Sequence, residues 1–355
     1  MRKPTKIIAI ALVFIMLIGM LAACESGNSN QPTTSGTTDA GPGNASLPGG
    51  KDIFKDNIKI AMISISTAGV SNRLNERALR DQASAYPNIT LNLMDGEFNP
   101  NRQITLLEEC VTQGYDGVLL EAMDPVALNQ AIAACEAAGI PVISFNAARP
   151  SGLHSMHIRM QDYETGWQAG EIMAGMVGGE GTAIILDAPA VQKPSAPMGT
   201  AFEDFITGNT NIRLLEPPIG IENWSSENAQ TAMRDMLGKY GPGEITMVFC
   251  ANDDIAVGAM NAIDQAGRTG DIMVWGMFGY PAGLEGVQSG KMTGTMFSDV
   301  YVQLSMMFYL LLNHIMTGLT AVTGGYTETP FMQMPMFAVT SANVEDIMAA
   351  SRWFS

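Results

Sequence analysis

Asn146, Asn252 and Trp224 are the side chains of this sequence best suited to hold a small polar molecule without reacting with it. Amides both donate and accept hydrogen bonds, and an indole covers the C–H face of a ring. Groups that would attack a substrate are harder to find. No phosphate loop of the GxxxxGK[ST] type, no GxGxxG and no GxSxG occurs. His154 and His157 are the one close pair among three histidines. They stand three apart in a predicted strand, which points them to opposite faces, so no metal site is expected. Carboxylates are plentiful, but none is marked as a base. The expectation is a protein without catalytic residues, cofactor or metal: not an enzyme.

The elements that must position those residues alternate. Strand-length apolar runs fall at 58–65, 89–94, 117–121 and 140–145. Helices are predicted over 71–86, from the cap Asn99-Pro100 to Gly114, and from Asp124-Pro125 to Gly139. The rhythm resumes with strands at 182–186, 212–215, 245–249, 272–275 and 293–297. Helices accompany them at 162–177, 198–206, 225–237, 253–266 and 281–288. Near-continuous apolar strands between amphipathic helices mean parallel sheets covered on both faces. The fold class is α/β, with two doubly wound lobes. An uncharged run at 300–316 is broken by Gln303, Ser305, Asn313 and His314, and reads as a buried helix.

Ligands of open α/β sheets bind beyond the carboxyl ends of the strands. The residues there fall in 66–73, 121–124, 146–149, 187–193, 223–224, 252–253, 278–280 and 298–299. Asn146 and Asn252 sit at that edge, Asn252 also reading as a helix cap. Trp224, Phe278 and Tyr280 supply aromatic faces, and Arg149, Asp187 and Lys193 supply charge. The mixture suits a neutral polyhydroxyl molecule.

The ends fix the setting. Arg2, Lys3 and Lys6 precede an apolar run at 7–21, too short to span a bilayer, and then Leu21-Ala22-Ala23-Cys24. This order resembles a bacterial lipobox, with a signal peptide at 1–23 and thioether lipidation of Cys24. Residues 25–50 are polar and Gly/Ser/Thr-rich, a flexible tether by composition. The formal net charge of -16 argues against nucleic acid, whose phosphates need Lys and Arg. Cys110, Cys135 and Cys250 are odd in number and lie in apolar stripes, as buried free thiols do.

From 58 to about 340 the chain resembles a type I periplasmic binding protein of the ribose and glucose/galactose class. Four segments carry this: Ile140-Pro141-Val142-Ile143-Ser144-Phe145-Asn146; Phe249-Cys250-Ala251-Asn252-Asp253-Asp254-Ile255-Ala256-Val257-Gly258-Ala259; Trp224; and Thr295-Met296-Phe297-Ser298-Asp299. The resemblance implies two lobes joined by a three-crossing hinge, divided as 51–160 with 299–330 and 161–298 with 331–355. It implies ligand contacts at Ser66, Asn72, Asn146, Arg149, Trp224, Asn252, Phe278 and Ser298. Phe278 stands where the family often has an Asp, Ala196 falls about where it has an Arg, and loop 67–72 lacks its aromatic residues. These departures point to a modified or less polar sugar, or another small metabolite. The implied role is a monomeric, lipid-anchored subunit of an ABC importer, on the extracytoplasmic face of the cell membrane beside its permease. A ligand sensor partnered with a membrane kinase or chemoreceptor would read the same. A repressor of related fold is disfavoured, because no helix-turn-helix precedes residue 58.

Overall fold

The computed structural model describes residues 50–68, 70–146, 149–160, 162–190 and 197–354. The signal peptide, Cys24, the tether, Lys193 and Ala196 lie outside the described residues.

The first half of the chain runs β1 (Ile58–Ser64), α1 (Val70–Ala83), β2 (Ile89–Asp95), α2 (Pro100–Thr112), β3 (Gly117–Leu120), α3 (Asn129–Ala137), β4 (Val142–Phe145) and β5 (Met156–Met160). Then follow α4 (Asp162–Met176), β6 (Glu180–Asp187), α5 (Met198–Asn209), β7 (Asn211–Leu214), β8 (Ile219–Gly220), α6 (Ser226–Lys239), β9 (Met247–Cys250), α7 (Asp253–Gln265), β10 (Met273–Phe278), α8 (Pro281–Gln288) and β11 (Gly294–Phe297). The chain closes with α9 (Val300–Thr317), β12 (Phe331–Met334), β13 (Phe337–Thr340) and α10 (Val344–Ala350).

These form two sheets. The first has the order β12-β5-β4-β3-β1-β2, the second β13-β11-β10-β9-β6-β7, with β8 beside β6. All pairings are parallel except β11 with β13. In each sheet the order reverses where the second βα unit leaves the first, between β1 and β3 and between β6 and β9. Crevices beyond the strand ends open at such reversals.

Each strand divides its side chains between two faces, as the pleat requires. Ile60, Met62 and Leu119 join one core with Ile185, Phe249 and Met277 of the second sheet, a single apolar cluster common to both lobes. Ala61, Ile63, Val118 and Leu120 turn the other way, under α2 and α3. Ile184, Leu186, Val248 and Val274 do the same under α6 to α8.

The apolar run at 300–316 becomes α9. It is long and apolar enough to cross a membrane, yet Leu304, Met307, Phe308 and Leu311 are buried in the core. Each such burial contributes about 1.5–3 kcal/mol. Cys110, Cys135 and Cys250 are buried free thiols.

Three expectations change. The helix predicted from Asp124-Pro125 starts only at Asn129, because the Asp124 carboxylate accepts the Val126 and Ala127 N–H groups, both at 2.8 Å, and closes a separate turn. Phe331–Met334 pairs with β5, so these residues belong to the first sheet, and the chain passes to the second only around Pro335 and Met336, not at 330. The histidines do not face apart. His154 precedes β5, so strand alternation does not govern it. Both rings reach the Ser144 hydroxyl at 2.7 Å.

Candidate functional site

The site is assembled from strand ends. In the first sheet Gln103, fully buried, clamps β1 to β3: its Nε2 donates to Ser64 O at 3.1 Å and to Glu121 O at 2.7 Å, and its Oε1 accepts from Met123 N at 2.9 Å. Ser66 is buried beyond β1, where its Oγ accepts the Ala68 N–H at 3.2 Å. Glu121 is half-buried just beyond β3, and its carboxylate accepts the Ile65 N–H at 3.4 Å. Burial pushes its carboxyl up to about 7, against that one donor.

In the second sheet Asn252 follows β9 in extended backbone, and its Oδ1 accepts Ile255 N–H at 2.8 Å to cap α7. Asp253, fully buried, accepts the Thr295 hydroxyl at 2.7 Å and Tyr280 N–H at 2.6 Å. Burial nonetheless pushes its carboxyl up to about 8. Asp254 is half-buried, raised to about 6 by burial with Arg73 opposing. Phe278 ends β10 at φ 87, a left-handed conformation that a bulky residue adopts only when its surroundings impose it. Its ring stacks on Tyr280, centroids 5.7 Å apart, and its carbonyl accepts the N–H of buried Ser298 at 3.4 Å.

The two lobes meet here. Ser71, in the first turn of α1, lies near enough to the Tyr280 phenol to favour its ionised form. Burial and the charges of Asp254 and Glu121 raise that phenol well above its ordinary value. Ser66, Asn252, Phe278 and Ser298 stand at or just beyond strand ends, and Asn72 in the first turn of α1.

The other candidates also make contacts within the protein. Asn146 follows β4 at φ 55, and its Oδ1 accepts Gln303 Nε2 of α9 at 3.0 Å. Arg149 is exposed, donates to Thr329 O at 3.0 Å and lies over the Phe331 ring, 5.7 Å from its centroid; it is bound to the segment that leads into β12. Trp224 ends a 3₁₀ turn, Glu222–Trp224, at φ 53 and packs half-buried beside both large apolar clusters. Asp187 is buried at the end of β6, its Oδ1 accepting Ala188 N–H at 2.8 Å.

Sequence reasoning singled out none of Ser71, Asp254 and Thr295 within their segments, and missed Gln103. Asp254 is visible only as part of an acidic helix start, and Gln103 as a polar residue in a helix stripe.

The buried Ser144 cluster is a separate construction. Gly152 O can only accept, so His154 Nδ1, 2.8 Å away, carries the proton. His154 Nε2 then accepts the Ser144 hydroxyl, whose oxygen accepts from His157 Nδ1. His157 Nε2 is left buried with no partner. Burial holds both imidazoles neutral, near 4 for His154 and 3 for His157. No group of three or more metal-ligating side chains occurs among the described residues.

Comparison with known proteins agrees with this fold. A family model described as a periplasmic binding protein domain matches residues 65–319. The two-lobed α/β chain belongs to that family. It is 28% identical over 203 residues to a xylitol-binding protein of Mycolicibacterium smegmatis, the match covering 57% of each chain. It is 26% identical over 203 residues to the ribose import binding protein of Escherichia coli (strain K12), covering 57% of this chain and 67% of that one. The chain thus spans little more than half the length of the xylitol-binding relative. Among solved structures, an ABC transporter solute binding protein from Bacillus halodurans C-125 with bound myo-inositol superposes with a TM-score of 0.72 at 19% identity, over 83% of this chain and 98% of that one. One from Actinobacillus succinogenes 130z with bound D-allose gives 0.72 at 18%, over 81% and 99%. These likenesses establish the fold.

Proposed function

We propose that this chain is the ligand-capturing subunit of an ABC importer, an extracytoplasmic lipoprotein that closes its two lobes around a sugar or related polyol. The carrying observation is the approach of Ser71 and Glu121 of the first lobe to Tyr280, just after β10 in the second. It brings amides, hydroxyls and stacked aromatic rings from both sheets to one place. Closure of such lobes excludes water and strengthens every hydrogen bond inside. Ser66, Asn72, Asn146, Arg149, Trp224, Asn252, Phe278 and Ser298 are the contacts we assign, joined by Glu121 and Tyr280. Capture and release need no nucleophile, and we assign no catalytic residue.

Relatives named for ribose import, xylitol and fructose import support the ligand class. Cys24 would carry the lipid, a palmitate among its acyl chains, holding a monomer on the outer face of the cell membrane near its permease. A sensory role is the second reading. A fructose binding periplasmic domain of a hybrid two component system shares the fold, with a TM-score of 0.70.

A thermal-shift panel of sugars and polyols tests capture. A ligand at a hundred times its Kd should stabilise by about 2.7 kcal/mol. A broad panel without any rise in melting temperature refutes the reading.

A further inference from the structure

We infer that Trp353 is a positioning residue for capture: rooted in the second lobe, it clasps Tyr301 of the first and sets how readily the two lobes stay together. This rests on the proposed capture role and adds to it a residue outside the assigned ligand contacts.

The first ground is where the carboxyl-terminal segment is rooted and where it ends. α10 packs on α8 and β13, and its Val344, Ile347 and Met348 join the outer core of the second lobe. The chain then turns. Ser351 is buried, its N–H donates to Ile347 O at 2.9 Å, and its hydroxyl oxygen accepts the Trp353 N–H at 3.3 Å. Trp353, 7% exposed, belongs instead to the core common to both lobes. It meets the Tyr301 ring edge to face, centroids 5.6 Å apart and planes at 77°. Such aromatic pairs contribute beyond the area they bury. The Arg352 guanidinium lies over the same ring, 5.6 Å from its centroid, an arrangement that attracts a cation to the ring face.

The second ground is what Tyr301 holds. It stands in the first turn of α9, just after the chain has recrossed from β11. Its hydroxyl donates to Asp81 Oδ2 at 3.1 Å and accepts from Gln82 Nε2 at 3.3 Å. Gln82 Oε1 in turn accepts the Tyr309 hydroxyl at 3.0 Å. Asp81 and Gln82 belong to α1, whose first turn carries Asn72. Side-chain contacts therefore run from the last helix of the second lobe to a helix that bears an assigned ligand contact. The chain itself crosses between the sheets after β5, β11 and β12. Trp353 adds a link made of side chains, which a rotation of the lobes must carry or unseat. The link exists in a conformer where Tyr280 of the second lobe shares one core with Leu119 of the first. A contact shifts an equilibrium by its difference between the two states. Loss of the clasp should spread the lobes and weaken capture, since a smaller share of the chain is then competent to bind.

The test places two spin labels in the full-length protein, through p-acetylphenylalanine in place of Glu108 and Asp235, exposed positions on α2 of the first lobe and α6 of the second. Double electron–electron resonance reads their separation without ligand. Isothermal titration with D-ribose, xylitol, D-allose and myo-inositol reads affinity. Trp353→Ala should broaden or shift the distance distribution and weaken the tightest of these ligands by about fivefold or more. Trp353→Phe keeps an aromatic ring against Tyr301 and should stay within about twofold of the parent. Tyr301→Phe keeps the ring pair and gives up the bonds to α1. It should move both readouts in the direction of Trp353→Ala by a smaller amount, and it decides the matter if Trp353→Ala does not fold. A merely local packing role would lower the melting temperature and leave distances and affinity alone. That result, or tighter binding by Trp353→Ala, overturns the inference and leaves capture standing. A parent protein that binds none of these ligands counts against capture alone, and the label distances still decide the clasp.

Discussion

Asp253 and Thr295 are joined by a 2.7 Å hydrogen bond that ties the first turn of α7 to β11. Thr295→Val removes the hydroxyl and keeps the volume, leaving a buried carboxylate short of a donor. An unsatisfied buried group costs about 1–3 kcal/mol, and urea unfolding should read a loss in that range. Gly276→Ala should cost more, since a Cβ there would run into the Asp253 carboxylate. A variant as stable as the parent in both cases would remove Asp253 from its assigned place.

Asn252 caps α7 and is among the ligand contacts we propose, and two substitutions separate these roles. Asn252→Ala deletes the cap on Ile255 N–H, worth about 1 kcal/mol, together with the amide offered to the ligand. Asn252→Ser retains a capping oxygen and drops the amide. Stability close to that of the parent with at least tenfold weaker ligand binding is expected for Ser, and loss of both for Ala. Calorimetry of unfolding and of binding on the same samples distinguishes them.

Acid should loosen the first lobe through its histidines. The folded-state values near 4 for His154 and 3 for His157 lie below the ordinary 6.5. The unfolded chain therefore binds protons between about pH 6.5 and 4 that the folded chain refuses. Stability from this source is complete above the unfolded value and is lost as the pH falls, by up to about 1.4 kcal/mol per pH unit for each ring. Glu121, at about 7, and Asp254, at about 6, act in the opposite sense, their contribution fading as the pH rises from about 4. His157→Asn should lower the slope of unfolding free energy between pH 6.5 and 4.5 by up to one proton; an unchanged slope contradicts the buried neutral cluster.

Cys110 and Cys135, pushed up to about 12 by burial, are thiols rather than thiolates at neutral pH. They and Cys250 should resist iodoacetamide in the native protein and label fully in urea, a contrast that peptide mass spectrometry reads directly.

The alternation of strand and helix was legible because both faces of these sheets are covered. Strands such as Val118-Leu119-Leu120 are apolar throughout, and turn residues stand between them. Asn252 was legible because it caps a helix directly after an apolar strand. The apposition of Glu121, Tyr280 and Asp254 was not, since it depends on how two separate sheets face each other. The final strands were hidden for another reason. Phe331–Met334 and Phe337–Thr340 are edge strands with half-exposed patterns, and Pro335 between them gives no hint that they join different sheets. The histidine pair failed on parity: alternation holds only inside a strand, and β5 begins after His154.

The chain leaves the first lobe at β5, builds most of the second, and returns to place α9 and β12 on the first. During synthesis from the amino end, the lobe that begins first is therefore among the last to be finished. Its inner surface, Ile60, Met62 and Phe145 among others, stays uncovered until Leu304, Met307 and Phe308 have emerged. A nascent chain stopped before residue 300 should thus be digested in its opening third by a protease that leaves the same stretch intact in the released protein.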